Sequence, residues 1–236
     1  MKIEVHSLLC NEAPLIPYFM RHYGQFADVY FYESNSHDGS RKIAQRLGAH
    51  IIDFPTGNEI DENMFCEMKN NCWKGSKADW VVVGDCDEFI YHPQLVKGLQ
   101  HTKYTIFHPK EWRMYSDSFP TTNGQIYEEV NMGVLGDKNM NKMNLFRPNE
   151  IKEMNYTAGC HGASPEGNVL LCPDTSIVTL HMHHLGLKYR IEKNKQLAER
   201  LSDVNKRNGW GYHVQMKERE VQKKWDQQVT KLVRVL

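Results

Sequence analysis

Asp85 and Asp87, two carboxylates separated by one residue, have the type and spacing to bind a metal ion. They follow the apolar run at residues 80–84, which is typical of a fully buried strand, so both lie where that strand ends. Alternate side chains of a strand share a face about 7 Å apart, and carboxylate oxygens are ligands that Mg²⁺ and Mn²⁺ prefer. The motif therefore predicts a divalent-cation site suited to a diphosphate; the alternative is an acidic surface turn.

Three histidines near residue 180 are the second group of candidate ligands. If residues 180–186 form a strand, His181 and His183 project to one side and His184 to the other. We expect one histidine to contribute to the metal bound by Asp85 and Asp87. The alternative is a structural zinc site, because thiolates and imidazoles suit that ion. Its members would be Cys160, His161, Cys172, His181 and His183. Their spacing matches no zinc-finger or zinc-ribbon pattern.

Alternating strands and helices must position these side chains. Strands are predicted over residues 2–9, 29–32, 49–54 and 80–84. Helices are predicted between them, over residues 15–23, 41–47 and 63–75. The first helix is expected to have Asn11 as its N-cap, Pro14 in its first turn and Gly24 at its end. This alternation predicts an α/β fold with a mostly parallel sheet and right-handed crossovers.

Polar clusters follow three of these strands, at residues 10–12, 33–35 and 85–87. Ligands of open α/β sheets bind outside the carboxyl ends of the strands, so the three clusters are expected to meet at one crevice. In residues 33–41, an acidic or amide side chain can bond to a nucleobase edge, and the helix N-terminus beside it can face phosphate. Simple turn formation and helix capping are the alternative.

The rest of the chain has weaker periodicity. Extended pieces are predicted at residues 104–108 and 143–146, and apolar stripes from Tyr189 onwards predict a C-terminal pair of helices packed on the sheet. Residues 188–236 contain 13 Lys and Arg against 6 Asp and Glu, a net charge of +7 in a chain whose total is zero. This segment is the solvated face of charged helices or, alternatively, a contact with an acidic membrane surface or a polyanion.

Length and composition limit the class of protein. A chain of 236 residues can bury the core of one large α/β domain, and no apolar run approaches the roughly 20 residues that span a bilayer. Residues 1–6 include an acidic residue and begin a strand, so no signal peptide is predicted and the protein is expected in the cytoplasm. The six cysteines form no Cys-x-x-Cys pair and are expected to be reduced thiols.

Four segments together resemble the family 2-like glycosyltransferases of the GT-A fold, in a bacterial and phage branch. Residues 8–13 (LLCNEA) resemble their nucleotide-side opening, and residues 32–40 (YESNSHDGS) resemble their Asp-Asn-x-Ser-x-Asp-Gly-Thr turn. Residues 78–89 (ADWVVVGDCDEF) are similar to their Trp-hydrophobic-Asp-x-Asp-Glu-Phe strand. Residues 180–213 resemble their C-terminal portion. The family has a His-Tyr-Lys-Tyr-Leu-Gly stretch there, and its first residue matches His181. In this chain Met-His-His replaces the Tyr-Lys-Tyr part of that stretch.

The resemblance implies one GT-A-like domain over residues 1–236, with a Rossmann-like nucleotide-binding half and C-terminal helices. Residues 1–100 would form the nucleotide-sugar-binding half and residues 101–187 the acceptor-side half. Residues 188–236 would form the C-terminal helical segment.

The implied reaction is transfer of a hexosyl or pentosyl group from a nucleoside-diphosphate sugar to an acceptor hydroxyl. Mn²⁺ or Mg²⁺ would be held by Asp85, Asp87 and His181, with the choice among His181, His183 and His184 open. Asp85 would also face the nucleotide, and Lys69 or Lys142 would neutralise phosphate. The remaining donor contacts would come from Asn11, Glu12, Glu33, Asn35 and Asp38.

Members of the family usually invert the anomeric centre, which requires a base to deprotonate the acceptor; the candidates are His161, Glu128 and Glu129. The expected acceptor is a glycan or a lipid-linked glycan, with nucleic acid as an open alternative, and the basic C-terminal helices could make peripheral membrane contact. A metal-dependent nucleotidyltransferase is one rival function, but residues 10–14 lack the glycine- and lysine-rich phosphate loop it would need. The other is a non-catalytic module that binds a nucleotide-sugar or a polyanion.

Overall fold

The computed structural model describes residues 1–174 and 176–236, which form a mixed α/β structure. The first hundred residues alternate between strands and helices. In chain order these elements are β1 (Ile3–Leu9), α1 (Ile16–Tyr23), β2 (Asp28–Glu33), α2 (Ser40–Arg46), β3 (His50–Asp53), α3 (Glu62–Asn71), β4 (Trp80–Asp85), β5 (Glu88–Tyr91) and α4 (Leu95–His101).

Shorter strands follow, and helices dominate the C-terminal end. These elements are β6 (Ile106–Phe107), β7 (Lys110–Ser116), α5 (Ile126–Glu129), β8 (Met132–Leu135), β9 (Leu145–Phe146), β10 (Ile151–Glu153), β11 (Glu166–Gly167), β12 (Val178–Leu185), α6 (Leu187–Glu199), α7 (Asp203–Arg207), α8 (Glu218–Val229) and β13 (Val233–Arg234). Strands β10 and β11 pair with each other as a small antiparallel ribbon.

The central sheet has six strands in the order β3-β2-β1-β4-β9-β6. Its first four strands are parallel, and β9 is antiparallel to both of its neighbours. The register pairs Leu9 with Glu33 and Leu8 with Asp85, so the carboxyl ends of β1, β2 and β4 lie side by side. This topology confirms the predicted α/β class, with a mostly parallel central sheet flanked by helices.

A second sheet has five strands in the order β13-β8-β7-β12-β5. Strand β12 is parallel to β7 and antiparallel to β5, and its register with β7 shifts between His181 and His184, a β-bulge. Asp85 ends β4 of the first sheet and Glu88 begins β5 of the second, so the intervening turn joins the two sheets. The β5 register pairs Glu88 with His181, which brings the predicted histidine segment beside that turn.

Aromatic and aliphatic side chains between the helices and the sheets form the core. Phe19 of α1 packs against Phe31 and Phe89, with ring centroids 5.3 and 5.7 Å away, and all three are fully buried. Burial of each such side chain stabilises the fold by roughly 1.5–3 kcal/mol. At the other end of the chain, Trp225 of α8 lies 5.2 Å from the ring of Tyr115 and 6.0 Å from that of His184, which attaches this helix to β7 and β12.

The predicted N-cap at Asn11 was wrong, although α1 begins at Ile16, one residue after the predicted start; Pro17, not Pro14, lies in its first turn. The physical reason is that side chains of the next loop accept the backbone N–H groups of this segment. Ser36 and Ser40 accept from Asn11 and Glu12, at 3.1 and 2.8 Å. Asn11 itself has a left-handed φ of 52°.

Other boundaries differ less. Helix α3 ends at Asn71, four residues before the predicted end at Gly75, whose φ of 83° is incompatible with a helix. The C-terminal segment has three α-helices and the short strand β13, where a pair of helices was predicted. Residues 101–187 contribute strands to both sheets, and β5 from the first hundred residues belongs to the second sheet.

The structure also bears on the state of the cysteines and on membrane-spanning helices. All six cysteines are free thiols. Among residues 1–174 and 176–236, no helix is both long enough and apolar enough to cross a bilayer.

Candidate active site

Asp87 and two histidines of β12 form a compact cluster. The Asp87 Oδ2 atom lies 3.2 Å from Nε2 of His181 and 3.0 Å from Nδ1 of His183. The two histidines share a strand face as predicted, and the main chain fixes the turn, because the Met182 N–H donates to the Asp87 carbonyl at 2.7 Å. One ligand atom from each of the three residues lies within 4.8 Å of the others, and in the part of the chain that the structure describes no other such group of metal ligands occurs.

Glu111 of β7 lies behind His181, on the side away from Asp87. Its Oε1 atom is 3.6 Å from His181 Nδ1 and accepts from Arg113 Nε at 3.2 Å. Burial alone would raise the pKa of Glu111, but His181 and Arg113 lower it to about 2, so this carboxylate is charged. A carboxylate on the far nitrogen of an imidazole fixes ring orientation and raises ligand basicity, as at many metal sites.

The two histidines differ in protonation. Burial would lower the pKa of His181, but the carboxylates of Asp87 and Glu111 raise it well above its ordinary value. Burial and the charge of Arg190 lower the pKa of His183 to about 3, against the opposing effect of Asp87. At neutral pH His183 therefore offers a lone pair, whereas His181 must release a proton before it can bind a metal.

The chemistry of this donor set fits a divalent transition metal. One carboxylate oxygen and two imidazole nitrogens on one side leave further coordination positions for a substrate or water. Two nitrogen ligands favour Mn²⁺ over Mg²⁺, since Mg²⁺ prefers an all-oxygen shell. His181 Nδ1 is buried without a conventional hydrogen bond, and its ionic contact with Glu111 aligns the ring for such binding.

Asp85 lies in different surroundings from Asp87. Its two oxygens accept from Lys69 Nζ at 2.6 Å and from Lys142 Nζ at 3.0 Å. Lys142 also contacts Glu88 at 2.7 Å, so two buried amines and two carboxylates form a neutral cluster. Although burial would raise the pKa of Asp85, the two lysines hold it well below its ordinary value.

This lysine–carboxylate cluster bears on three predicted site residues. Asp85 was predicted as a metal ligand, but it is outside the group formed by Asp87 and the histidines. Lys69 and Lys142 were predicted to neutralise phosphate, and in the structure their amines neutralise Asp85 and Glu88 instead. The roles of all three toward a ligand stay predictions.

The loops after β1 and β2 meet beside these clusters. The Asn11 side chain accepts from the His37 N–H at 2.8 Å, and Asp38 accepts from the Ala13 N–H at 2.9 Å. Glu33 accepts from the Ser36 N–H at 2.6 Å and contacts Arg41. Asn35 is exposed, with a left-handed φ of 52°. The structure thus brings together the residues predicted to surround the nucleotide, and several of them also hold the loops in place.

Glu12 connects this loop pair to the C-terminal helices. Its Oε1 atom lies 2.6 Å from Lys193 of α6, whose amine also donates to the Asn11 carbonyl at 2.8 Å. Burial, with the nearby charges of Asp87 and Asp38, raises the pKa of Glu12 to about 7 despite Lys193. Helix α6 is therefore attached to the same crevice as the metal-ligand cluster.

The three side chains predicted as the catalytic base lie apart from Asp87. His161 Nδ1 lies 3.0 Å from the Met140 carbonyl, and burial together with Lys142 lowers its pKa. Glu129 accepts from the Thr121 and Thr122 N–H groups, and Glu128 is exposed beside Gly124. Among the described residues, none of the three has a hydrogen bond or ion pair to Asp87, His181 or His183.

The zinc alternative gains no support. Within residues 1–174 and 176–236, Cys160, His161 and Cys172 belong to no group of converging metal ligands. Conversely, Glu111, Arg190 and Lys193 were not predicted from the sequence. Glu111 lies in a region without clear periodicity, and the two basic residues lie on a helix whose charges were read as solvated. No local sequence pattern indicated Glu111, because it reaches His181 through the pairing of β7 with β12.

Solved structures similar to this chain include two sugar-phosphoglycerate synthases and S. aureus TarS. Glucosyl-3-phosphoglycerate synthase from Mycobacterium tuberculosis, solved with Mn²⁺, UDP and glucosyl-3-phosphoglycerate, is 17% identical over 47% of this chain and 44% of its own, with a TM-score of 0.35. S. aureus TarS, as the fragment 1–349, is 12% identical over 85% and 65% of the two chains, with a TM-score of 0.47. Mannosyl-3-phosphoglycerate synthase from Rubrobacter xylanophilus is 13% identical over 48% and 41%, with a TM-score of 0.36.

The match therefore spans less than half of each synthase and 65% of the TarS fragment. At these identities and TM-scores the likeness carries no conclusion about activity. No protein-family model and no curated protein sequence matches the chain.

Proposed function

We propose that the protein is a metal-dependent glycosyltransferase that moves a hexosyl or pentosyl group from a nucleoside-diphosphate sugar to an acceptor hydroxyl. The observation that carries this proposal is the convergence of Asp87, His181 and His183 at the carboxyl edge of four parallel strands. Nucleotide ligands of open α/β sheets bind at this edge. The loops after β1 and β2 border the same crevice with amide and carboxylate side chains.

The proposed cation is Mn²⁺ or Mg²⁺, with Mn²⁺ favoured by the two imidazoles. Asp87, His181 and His183 would hold it, and Glu111 would orient His181 through its Nδ1 atom. When bound, such an ion supplies positive charge that stabilises a departing nucleoside diphosphate. Asp85, held by Lys69 and Lys142, would fix the turn that presents Asp87.

The loop residues would bind the nucleoside part of the donor. Asn11, Glu33 and Asn35 present amide and carboxylate groups next to the crevice, and Asp38 fixes the loop between them. Glu12, with a pKa of about 7, would bind as a neutral donor or as a charged acceptor depending on pH.

His161 remains the first candidate for the base of an inverting reaction, ahead of Glu128 and Glu129. Lys142, Glu88 and Glu111 are close enough to influence its pKa, which connects it electrostatically with both clusters. Because burial and Lys142 lower that pKa, the imidazole is neutral at pH 7 and able to accept a proton. Inversion, a glycan or lipid-linked glycan as acceptor, peripheral membrane contact and a cytoplasmic location stay predictions.

Nucleotide release during titration with Mn²⁺ tests the proposal. UDP- and GDP-sugars would be incubated with the protein while Mn²⁺ is added, and free UDP or GDP would be measured with and without glycan acceptors. We expect release that requires the metal and is lost in Asp87→Ala. Release without metal, or metal and donor binding with no turnover on any acceptor, would contradict the enzyme assignment.

A further inference from the structure

Arg190 of α6 is a buried cation. Its relative exposure is 6%, and its Nη1 atom is buried without a hydrogen bond. Among residues 1–174 and 176–236, its side chain makes no salt bridge. Two other buried cations differ in this respect, because Lys69 and Lys142 each contact a carboxylate.

The charge of the guanidinium interacts with two members of the metal-ligand cluster. It lowers the pKa of His183, and the negative charge of Asp87 acts on Arg190 in turn. Tyr115 and Tyr189 also interact electrostatically with Arg190. Burial lowers the pKa of Arg190 to about 10, which leaves the side chain charged at neutral pH.

The first turn of α6 adds further donors beside Arg190. This helix of 13 residues begins after Gly186, which provides no side-chain cap, and its first turn contains no acidic residue. Backbone N–H groups at such an end have no intrahelical acceptor, and the helix dipole adds positive potential there. Strand β12, which carries both histidines, leads directly into this helix end.

An unpaired buried guanidinium is costly to a fold, because desolvation of the charge is not compensated. Such a cost is common where a residue is retained for binding rather than for stability. Solvent reaches the adjacent cluster, since the side chains of Asp87 and His183 are exposed by 23% and 20%. An anion that enters at this opening would meet the guanidinium, the helix end and the metal ligands together.

We propose that Arg190 and the first turn of α6 form a phosphate-binding site beside the Asp87–His181–His183 cluster. Guanidinium groups bind phosphate oxygens through two parallel N–H···O bonds, and helix N-termini favour the same anion. The phosphate belongs either to the diphosphate of the donor or to a phosphorylated acceptor. This inference rests on the proposed function for its biological substrate, but anion binding itself is independent of turnover.

Calorimetric titration with inorganic pyrophosphate and with inorganic phosphate, both without metal, tests this site. Arg190→Met removes the charge at similar volume, and Arg219→Met changes an exposed arginine of α8 as the matched control. We expect Arg190→Met to weaken binding of at least one of the two anions about tenfold or more, because charge-assisted hydrogen bonds are lost. Arg219→Met should bind both anions as the unmodified protein does. Equal affinity of Arg190→Met and the unmodified protein for both anions would overturn the proposal.

Two further titrations identify the source of the phosphate. If Arg190→Met also weakens UDP binding, the site takes the donor diphosphate. If the loss is confined to inorganic phosphate while UDP binds normally, the site takes a phosphorylated acceptor. Either result supports the phosphate site, and neither depends on whether sugar transfer is detected.

Thermal unfolding separates a binding role from a structural one. Removal of an uncompensated buried charge should leave the melting temperature of Arg190→Met unchanged or higher without anion, and pyrophosphate should raise it less than in the unmodified protein. A large fall in melting temperature without anion would indicate a structural role and count against the proposal. If Arg190→Met does not fold, Arg190→Lys provides the test: it keeps the charge but loses the planar fork, and undiminished affinity for both anions would again overturn the site.

Discussion

Asp85 and Asp87 stand two residues apart, yet their carboxylates have different partners. Asp85 has one lysine on each oxygen, and with Glu88 these residues form a neutral, saturated cluster. Asp87 has both of its histidine contacts on a single oxygen. The first cluster satisfies itself, whereas the second can still bind a cation.

This difference shows that the Asp-x-Asp motif need not supply two equivalent metal ligands. The turn between β4 and β5 directs the two carboxylates toward different partners. Asp85 contacts Lys69 of α3 and Lys142 of the segment before β9. Asp87 contacts the two histidines of β12. We infer a division of labour, in which Asp85 fixes the turn and Asp87 binds the ion. The structural role of Asp85 and the metal-binding role of Asp87 can be tested separately.

The largest expected effect is on Asp87. In Asp87→Ala, Mn²⁺ affinity and metal-dependent nucleotide release should each fall about a thousandfold or more, because the carboxylate shared by the two histidines is gone. Calorimetry and a nucleotide-release assay measure the two effects, with Asp226→Ala on the exposed face of α8 as the control. Near-normal turnover would refute the metal assignment.

The next effect concerns stability through Asp85. Asp85→Asn leaves Lys69 and Lys142 with Glu88 as their remaining carboxylate, so the free energy of unfolding should fall by about 3 kcal/mol, the low end for a broken buried pair. The low end applies since the Asp85 side chain is 34% exposed. Urea unfolding measures this loss.

Glu153→Gln, at an exposed pair with Lys74, is the control and should cost less than about 0.5 kcal/mol. The double variant Asp85→Asn/Lys69→Met restores neutrality and should be more stable than the sum of its single changes predicts. An additive result would show that the cluster is not coupled.

A smaller effect is expected from Glu111→Gln. The amide cannot provide the charge that orients His181 and raises its basicity, so Mn²⁺ affinity should fall between about tenfold and a hundredfold. Calorimetry measures it, with Glu192→Gln on the exposed side of α6 as the control. Unchanged affinity would mean that Glu111 serves only the fold.

The smallest effect is the pH dependence of metal binding. His181 has a pKa raised well above 6.5 and must lose its proton to bind, whereas His183, with a pKa of about 3, is already neutral. Mn²⁺ affinity should therefore rise about tenfold per pH unit between pH 6 and 7, with release of about one proton per ion. Calorimetry in buffers of different ionisation enthalpy counts the protons. Release of none, or of two, would show that the histidines are not divided in this way.

The position of the strand ends could be predicted from the sequence, whereas most side-chain contacts of Asp85 and Asp87 could not. Local alternation of strands and helices was enough to place the ends of β1, β2 and β4 together, and strand periodicity was enough to place His181 and His183 on one face. The separation of Asp85 from Asp87 was not predictable, because Lys142 is 57 residues away in a segment without clear periodicity. Glu111 reaches His181 only through the parallel pairing of β7 with β12, which no local pattern indicates.

Trp225 packs α8 onto the sheet, and its indole ring is also a natural fluorophore. Its indole ring lies 6.0 Å from His184, which adjoins the ligand His183 in sequence, so a natural fluorophore lies close to the cluster. Trp73 and Trp80 are buried elsewhere in the core and report on the fold as a whole. We expect the emission of Trp225 to respond to a paramagnetic ion at the site, so that ion entry can be followed in real time without a label.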